Sequence, residues 1–269
     1  MKLFKITDYN RYAYILEAYQ HKDSKNNDYL QSEAEALIAQ GRLYEYCIGT
    51  NAFLFVEKDG FYRMYYHLND LSQSLDFNNL ELVTEILFRG DEGAIQNEID
   101  FLERCGFKKN LIRDQYVGRY GDLRESSSLQ DIIIEEALGM SEVEWACRLF
   151  NISFDKWSGD IINKDLFKNL LLNHCILVAR TIHGNLLGAL HQTIEKGVAW
   201  ISHVAVTEQA RGKGVGKALM EAFIERNHAD EKSRYMLWVQ RQNVPAVNMY
   251  QQKGFKYINK STISLIKKD

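Results

Sequence analysis

The sequence contains little proline, no cluster of cysteines and no large excess of charge of one sign. One proline among 269 residues leaves no room for a proline-rich linker or a disordered tail of the usual composition. Lys and Arg number 33 against 36 Asp and Glu, a net charge of -3, so a nucleic-acid partner, which usually requires a basic excess, is not expected. The cysteines are widely spaced and form no C-x-x-C pair, which argues against a zinc site or a redox pair. We therefore expect no bound metal, and we expect the cysteines to be free thiols in a reducing cytoplasm. These cysteines are Cys47, Cys105, Cys147 and Cys175.

Long apolar runs are also absent. The most apolar stretch, Leu170–Ala179, is interrupted by Asn173 and His174 and is shorter than the ~20 residues of a membrane-spanning helix. The chain reaches Asp8 before any long apolar stretch, so we expect no signal peptide. These features predict a soluble, cytoplasmic protein with no membrane partner.

The chain has room for about two domains at about 150 residues each. The polar segment Arg124–Gln130 is the best linker candidate, which predicts domains 1–124 and 125–269. Apolar spacing predicts helices 8–20 and 27–42 and strands 52–56 and 61–68 in the first half. In the second half it predicts strands 132–134, 175–179, 186–190, 200–206 and 235–239, with helices 141–150, 165–172 and 218–226.

An internal repeat supports this division. Phe101–Lys108 and Met249–Lys256 align at an offset of 148 residues. The register then fails, because Phe53 to Phe88 spans 35 residues whereas the matching Ile176 to Met236 spans 60. The repeat therefore predicts two copies of one fold, the first lacking about 25 residues.

The extra stretch in the second half, Val204–Leu219, runs from a strand through a glycine-rich turn into a helix. Glycines 212, 214 and 216 allow close approach of a ligand, and amides at a helix N-terminus favour phosphate. A Walker A loop is excluded because Arg211 and Ala218 stand where it needs Gly and Ser or Thr, and a dinucleotide fingerprint is excluded by Lys217. The pattern that remains is R-x-x-G-x-G.

Together with the preceding V-A-V strand and the later N-x-P-A-x-x-x-Y-x-x-x-G-F run, Asn243–Phe255, this turn resembles a GNAT-type acetyltransferase (Gcn5-related N-acetyltransferase). The resemblance covers Gln130–Lys268, and the first half resembles a degenerate GNAT copy far more weakly. It implies tandem α/β domains, each with a central mixed sheet flanked by helices. Acetyl-CoA is the implied co-substrate.

The resemblance also implies individual roles. The turn that would hold the pyrophosphate consists of Arg211, Gly212, Lys213, Gly214, Val215, Gly216 and Lys217. Val204 and Val206, on either side of Ala205, would bind the pantetheine arm as an added strand, and the Val204 N–H would stabilise the oxyanion. Asn243 would contact the cofactor, and Tyr250 would protonate or stabilise the leaving thiolate.

The general base is less clear. Family bases commonly lie two or four residues before the V-A-V position, where this chain has Ser202 and Trp200, and neither is a base. Strand alternation places residues 200, 202, 204 and 206 on one face and 201, 203 and 205 on the other. His203 then faces away from the substrate and is expected to be packed or hydrogen-bonded, unless a bulge reverses the alternation.

Other routes for the proton stay open. Water held by Ser202, or a carboxylate such as Glu135 or Glu136 on the first strand of the domain, could accept it. Two interpretations of Trp200 are open: it lines the substrate pocket, or it is a core residue.

The leading hypothesis is an N-acetyltransferase that transfers the acetyl group to a small-molecule or peptide primary amine by direct attack in a ternary complex. The alternative is a non-catalytic acyl-CoA sensor. At the offset of 148, Tyr250 corresponds to Leu102 and Asn243 to Ile95, so the first domain is predicted not to bind CoA. The sequence leaves the oligomeric state open, a homodimer included.

Overall fold

The chain folds as two compact units. A computed structural model describes residues 1–19, 24–26, 29–73, 75–77, 79–124, 131–158, 161–230 and 233–268. Unit 1 comprises Met1–Ile112 and Lys260–Asp269, and unit 2 comprises Arg113–Asn259. The predicted linker residues 125–130 lie outside the described residues.

Unit 1 begins with helices and strands close to the predicted ones. The N–H of Arg11 donates to the Asp8 carboxylate at 3.0 Å, which caps the first helix, and Gly41 ends the second helix with a φ of 66°. The elements are β1 (Phe4–Lys5), α1 (Tyr9–Tyr19), β2 (Ser24–Lys25), α2 (Gln31–Ala39), β3 (Leu43–Ile48), β4 (Asn51–Lys58), β5 (Phe61–Leu68), β6 (Leu82–Arg89), α3 (Gln96–Arg104) and β7 (Lys108–Arg119).

Unit 2 repeats this order, without a counterpart of β2 and with one additional helix, α6, between its two parallel strands. The elements are β8 (Ile132–Glu136), α4 (Met140–Ser153), α5 (Phe167–Leu172), β9 (Ile176–Thr181), β10 (Leu186–Glu195), β11 (Val198–Val206), α6 (Val215–Arg226), β12 (Arg234–Gln240), α7 (Val244–Lys253) and β13 (Lys256–Lys267). The connection between the two parallel strands has 13 residues in unit 1 (69–81) and 27 in unit 2 (207–233), so α6 and its flanking turns account for 14 of the predicted 25 residues. The predicted match of Phe53 with Ile176 is wrong, because Phe53 lies on β4, the counterpart of β10, whereas Ile176 lies on β9, the counterpart of β3.

Both units are built on mixed sheets, as the α/β prediction requires. The order is β1-β3-β4-β5-β6-β13-β7 in unit 1 and β7-β12-β11-β10-β9-β8 in unit 2. Strands β5 and β6 are parallel, as are β11 and β12, and the other recorded pairs are antiparallel. Two long strands pass from one unit into the other: residues 260–267 of β13 pair with β6, and residues 113–119 of β7 pair with β12. The units therefore differ from the predicted domains 1–124 and 125–269.

Helices cover both faces of each sheet. In unit 1, α3 packs on one face, and α1 and α2 pack on the other. In unit 2, α6 and α7 pack on one face, and α4 and α5 on the other. Phe223 of α6 and Phe150 of α4 are fully buried, and burial of one such side chain contributes about 1.5–3 kcal/mol. The helices that the structure describes are all too short or too polar to cross a membrane.

The parallel strands of unit 1 stay together only briefly. Strands β5 and β6 pair at Tyr62 with Leu82 and at Arg63 with Val83, and no further pair is recorded between them in the described residues. Beyond this point β2 lies alongside the end of β5, with Ser24 opposite Leu68. A short segment of the chain thus borders β5 where β6 has left it.

Asn26, which follows β2, bridges the two separated strands. Its side-chain oxygen accepts the N–H of Tyr66 at 2.8 Å, and its side-chain nitrogen lies 3.3 Å from the carbonyl oxygen of Met64 on the same strand. That nitrogen also donates to Oγ1 of Thr84 at 2.8 Å and to the carbonyl oxygen of Glu85 at 3.0 Å on β6. One carboxamide therefore fills the gap between β5 and β6.

We expect the substitution Asn26→Ala to lower the free energy of unfolding by about 3 kcal/mol, because it leaves partly buried backbone groups without partners. Chemical denaturation measures this change. The exposed Asn10→Ala, on α1, serves as the control and should change stability by less than about 0.5 kcal/mol. Equal effects of the two substitutions would contradict a bridging role for Asn26.

Candidate functional site

The glycine-rich turn lies between the end of β11 and the start of α6. Gly212 and Gly214 have φ values of 75° and 82°, a conformation that favours glycine. Gly214 is the N-cap of α6, and no side chain among the described residues caps this helix. The first amides of α6 therefore keep their donors available for an anion, which the helix dipole also favours.

Three cations surround this turn, and all of them are exposed: Arg211, Lys213 and Lys217. Val215 is buried and anchors the start of the helix in the core. A Cβ added to Gly216 would meet the Val206 side chain at 3.6 Å and the Met249 sulfur at 3.7 Å. The turn is therefore held by packing on its inner side and exposes positive charge on its outer side.

Strands β11 and β12 separate next to this turn. They pair in parallel over three residues of β11, Ala199–Ile201, which lie opposite Tyr235–Leu237. Strand β11 then continues to Val206, and no pairing with β12 is recorded beyond Ile201. The result is a gap in the sheet of unit 2 that corresponds to the gap in unit 1.

Backbone groups of Val204 and Val206 point into this gap. The N–H of Thr207 donates to the carbonyl oxygen of Leu187 on β10 at 2.8 Å, which makes these two residues a hydrogen-bonded pair. Such pairs alternate along an antiparallel ladder, so Ala205 also bonds to β10. Val204 and Val206 direct their N–H and C=O groups to the opposite side, where β12 has separated from β11.

Tyr250 lies on α7, and Asn243 directly precedes this helix. Tyr250 is 6% exposed, packs in the same core cluster as Val204 and Val206, and contacts the ring of Phe255. Burial raises the pKa of Tyr250, so the phenol stays protonated. Asn243 is exposed, and its side-chain oxygen accepts the N–H of Ala246 at 3.3 Å as the N-cap of α7. Its side-chain oxygen therefore already has a structural role.

Strand β11 contains a bulge, and the predicted alternation of its side chains is wrong across it. His203 lies opposite His191, whereas Ile201 lies opposite Gln192, so Ser202 is an extra residue in the ladder. Ile201 packs with α6, and Ala205 packs with α4. Residues 201 and 205 therefore lie on different faces of the sheet, because one inserted residue shifts the two-residue period.

The bulge brings Ser202 and Trp200 to the face of the sheet that carries α4. Trp200 lies opposite Thr193, and Oγ of Ser202 is 3.3 Å from Oγ1 of Thr193. Ser202 is exposed and Trp200 is half-buried. Thr193 could not be found from the sequence, because its position beside Ser202 depends on the register shift.

His203 is a packed histidine, and its partner His191 has no signal in the sequence. The two rings are stacked with Nδ1 atoms 3.0 Å apart, and the rings of Phe150 and Phe154 pack on His203. One Nδ1 must carry a hydrogen and the other must accept it, so the two rings cannot both be protonated in this arrangement. Burial, together with the His203 charge, lowers the pKa of His191 to about 4.

The carboxylates of β8 lie far from the gap. Strand β8 is separated from β11 by β9 and β10, and three strand spacings amount to about 14 Å. Glu136 forms an ion pair with Arg226 and contacts the His174 ring, and Glu135 lies 3.9 Å from Arg180. The structure thus does not bring Glu135 or Glu136 together with Ser202. Among the described residues, no group of three His, Cys, Asp or Glu side chains could hold a metal ion.

We expect the stability of the protein to decrease as the pH falls from 6.5 to 4. The pKa of His191 is about 4 when folded and 6.5 when unfolded, so the unfolded state binds more protons between these values. The contribution of His191 is complete above pH 6.5, and on the order of 3 kcal/mol is lost as the pH falls through 4.

A histidine NMR titration checks this expectation directly. The Cε1–H signal of His191 is assigned as the one that disappears from the spectrum of His191→Gln. In the wild type this signal should titrate near pH 4. The substitution His183→Gln, at a turn, controls for the loss of an exposed histidine. A midpoint near 6.5 for the His191 signal would contradict the buried, neutral pair.

Comparisons with known proteins bear on the same part of the chain. A sequence model described as the acetyltransferase (GNAT) family matches residues 140–255. The curated proteins include no match to the chain.

Solved structures match over almost the whole chain. A GCN5-related N-acetyltransferase from Sphaerobacter thermophilus has a TM-score of 0.59 and 12% identity, covering 98% of this chain and 94% of that one. The tandem GNAT protein from the clavulanic acid biosynthesis pathway has a TM-score of 0.58 and 10% identity, with coverages of 98% and 97%. An acetyltransferase from the GNAT family of Colwellia psychrerythraea has a TM-score of 0.54 and 15% identity, with full coverage of both chains. The chain therefore has the fold of these GNAT proteins, and its residues 140–255 match the sequence model of the acetyltransferase (GNAT) family.

Proposed function

We propose that the protein is an N-acetyltransferase that transfers an acetyl group from acetyl-CoA to a primary amine by direct attack in a ternary complex. The observation that carries this proposal is the cationic glycine turn directly beside the gap between β11 and β12. Acetyl-CoA, when bound, supplies an acetyl thioester that an amine can attack. The residues of unit 2 supply binding, orientation and charge stabilisation.

The turn fits the pyrophosphate of the cofactor. A Cβ added to Gly212 would meet no atom within 4 Å, so a ligand can approach the backbone there. The uncapped amides at the start of α6, with Arg211, Lys213 and Lys217 around them, match an anion.

The gap fits the pantetheine arm. An extended chain with amide groups can bond to Val204 and Val206 as an added strand would, because their backbone groups face the gap. The Val204 N–H could then donate to the thioester carbonyl oxygen as that oxygen gains negative charge. A fixed backbone donor at that position stabilises the transition state more than the ground state.

Tyr250 would assist the departure of the CoA sulfur. Its raised pKa keeps the hydroxyl protonated, so it can donate a hydrogen bond to the developing thiolate. Burial also widens the difference between the pKa of the phenol and that of a thiol, which is about 8.5 in the reference state of cysteine. Stabilisation of the thiolate by a hydrogen bond is therefore favoured over complete proton transfer.

The amine must lose a proton, since its ordinary pKa is about 10. The pKa of His191 is lowered to about 4, so His191 is a weak base, and its partner His203 is buried against aromatic rings. The hydroxyl groups of Ser202 and Thr193, 3.3 Å apart, can hold a water molecule that accepts the proton. Ser202 would then be a catalytic residue that acts through water.

The acceptor amine would approach from the face that carries α4. Trp200 lies opposite Met236, and Trp238 follows two residues later on the same face of β12. All three side chains are half-buried, which leaves apolar surface beside the gap. This surface suits the carbon skeleton of an amine, while the cofactor would approach from the face of α6.

A non-catalytic acyl-CoA sensor is the second candidate. The observation that favours it is the lack of a carboxylate at Ser202 and Trp200, with Glu135 and Glu136 about three strand spacings away. Tyr250 favours the enzyme, because a sensor has no need for a donor at the sulfur.

Calorimetric titration of acetyl-CoA tests the cofactor site. We expect 1:1 binding by the wild type and at least about 100-fold weaker binding by Gly214→Trp, because the indole strains the left-handed turn and covers the amides. The control Gly184→Trp changes another glycine of positive φ, in a hairpin turn with open space, and should bind normally. An absence of binding by the wild type would refute both candidate functions.

Replacement of one hydroxyl group separates the enzyme from the sensor. We expect Tyr250→Phe to lower kcat about 10- to 100-fold while the Kd of acetyl-CoA stays within about twofold, because the hydroxyl acts on the leaving sulfur. Release of CoA thiol with a panel of primary amines measures kcat, and the exposed Tyr14→Phe is the control. A wild type that binds acetyl-CoA but releases no thiol with any amine would favour the sensor.

A further inference from the structure

Unit 1 contains a cavity of about 310 Å³ at the point where β5 and β6 separate. It lies on the face of the sheet that carries α1 and α2, because Tyr65 in its wall lies opposite Leu54, which packs with those helices. In unit 2 the corresponding place, by the repeat of elements, is the α4 face of the gap beside Ser202. The cavity is therefore the unit 1 counterpart of the face from which an acceptor would approach in unit 2.

Asn26 lies in the wall of this cavity. Its carboxamide lines the cavity and bridges β5 and β6 with the hydrogen bonds described above. Residues 69–81, which connect β5 to β6, contain no glycine, and the described part of this connection has no counterpart of α6. A molecule in the cavity would therefore have no bound CoA on the other side of the gap. The cavity can bind a small molecule but cannot support acetyl transfer to it.

The walls carry an excess of positive charge. Arg63 and Lys260 face one carboxylate among the described lining residues, Glu85, which lies 3.4 Å from Arg63. The side chains of this pair are only 13% and 17% exposed. Burial lowers the pKa of Lys260, and the positive charge of the nearby Arg89 lowers it further.

One buried group in the wall lacks a partner. Thr262 is 9% exposed, and its hydroxyl oxygen is buried without a hydrogen-bond partner among the described residues. Such a group costs about 1–3 kcal/mol unless water or a ligand bonds to it. Thr262 lines the same cavity as Lys260 and Arg63, and a hydroxyl donor is complementary to an anionic oxygen.

We propose that this cavity is a non-catalytic binding site for a small organic anion, whose carboxylate or phosphate oxygens bond to Lys260, Arg63 and the Thr262 hydroxyl. The volume is at the lower end of that of small-molecule pockets. The proposal does not depend on acetyl transfer by unit 2.

Calorimetric titration with citrate and with inorganic phosphate tests the site, and glucose serves as an uncharged control. We expect at least one of the two anions to bind the wild type, and Lys260→Gln and Thr262→Val each to weaken that binding about tenfold or more. Lys213→Gln makes the same change of charge at the glycine turn of unit 2, and binding to the cavity should be unaffected by it. A stronger response to citrate would identify carboxylates, and a stronger response to phosphate would identify phosphorylated ligands.

Stability measurements separate binding from folding. Without ligand, Thr262→Val should be at least as stable as the wild type, because it replaces an unpartnered buried hydroxyl by a methyl group of similar shape. The proposal is overturned if neither anion binds, if Lys213→Gln alone weakens binding, or if Thr262→Val destabilises the protein without changing anion affinity.

Discussion

Backbone donors and acceptors that leave a sheet must find other partners, and this requirement governs both units of the protein. Each sheet contains a pair of parallel strands that stay together for only two or three residues and then separate. In unit 2 the ladder to β10 directs Val204 and Val206 toward the separation. The glycine turn and the start of α6 lie at the end of the same strand, so an extended ligand could bond along β11 and place its anionic end at the helix.

Unit 1 satisfies the same requirement from within its own chain. The carboxamide of Asn26 has the donor and acceptor of a peptide group, and it bonds to both the N–H of Tyr66 and the carbonyl oxygen of Met64. A side chain thus takes the place that an extended ligand would take in unit 2. Loss of α6 and occupation of the gap are two independent reasons why this unit is not expected to bind CoA.

Most elements follow from local patterns, whereas the decisive contacts of the site do not. The turn at Gly212 and Gly214 was predictable, because the glycine pattern is local and the structure gives both residues a positive φ. The bulge at Ser202 was not predictable from the sequence, because it depends on how two strands pair. His203 pairs with His191, whereas Ile201 pairs with Gln192. The contacts of Asn26 could not be predicted either, because its hydrogen-bond partners lie 38 to 59 residues away along the chain.

The exchange of strands between the units has a consequence for biosynthesis. Residues 260–267 pair with β6, and Ile263 and Leu265 belong to the same core as Phe53 and Phe101. The core of unit 1 therefore cannot close on the ribosome until these residues have emerged, although most of that unit is made first. Pairing over such a sequence distance is slow, and β6 remains an exposed strand edge in the meantime. Nascent chains of this protein depend on late assembly, with unit 1 completed only after unit 2 has been translated.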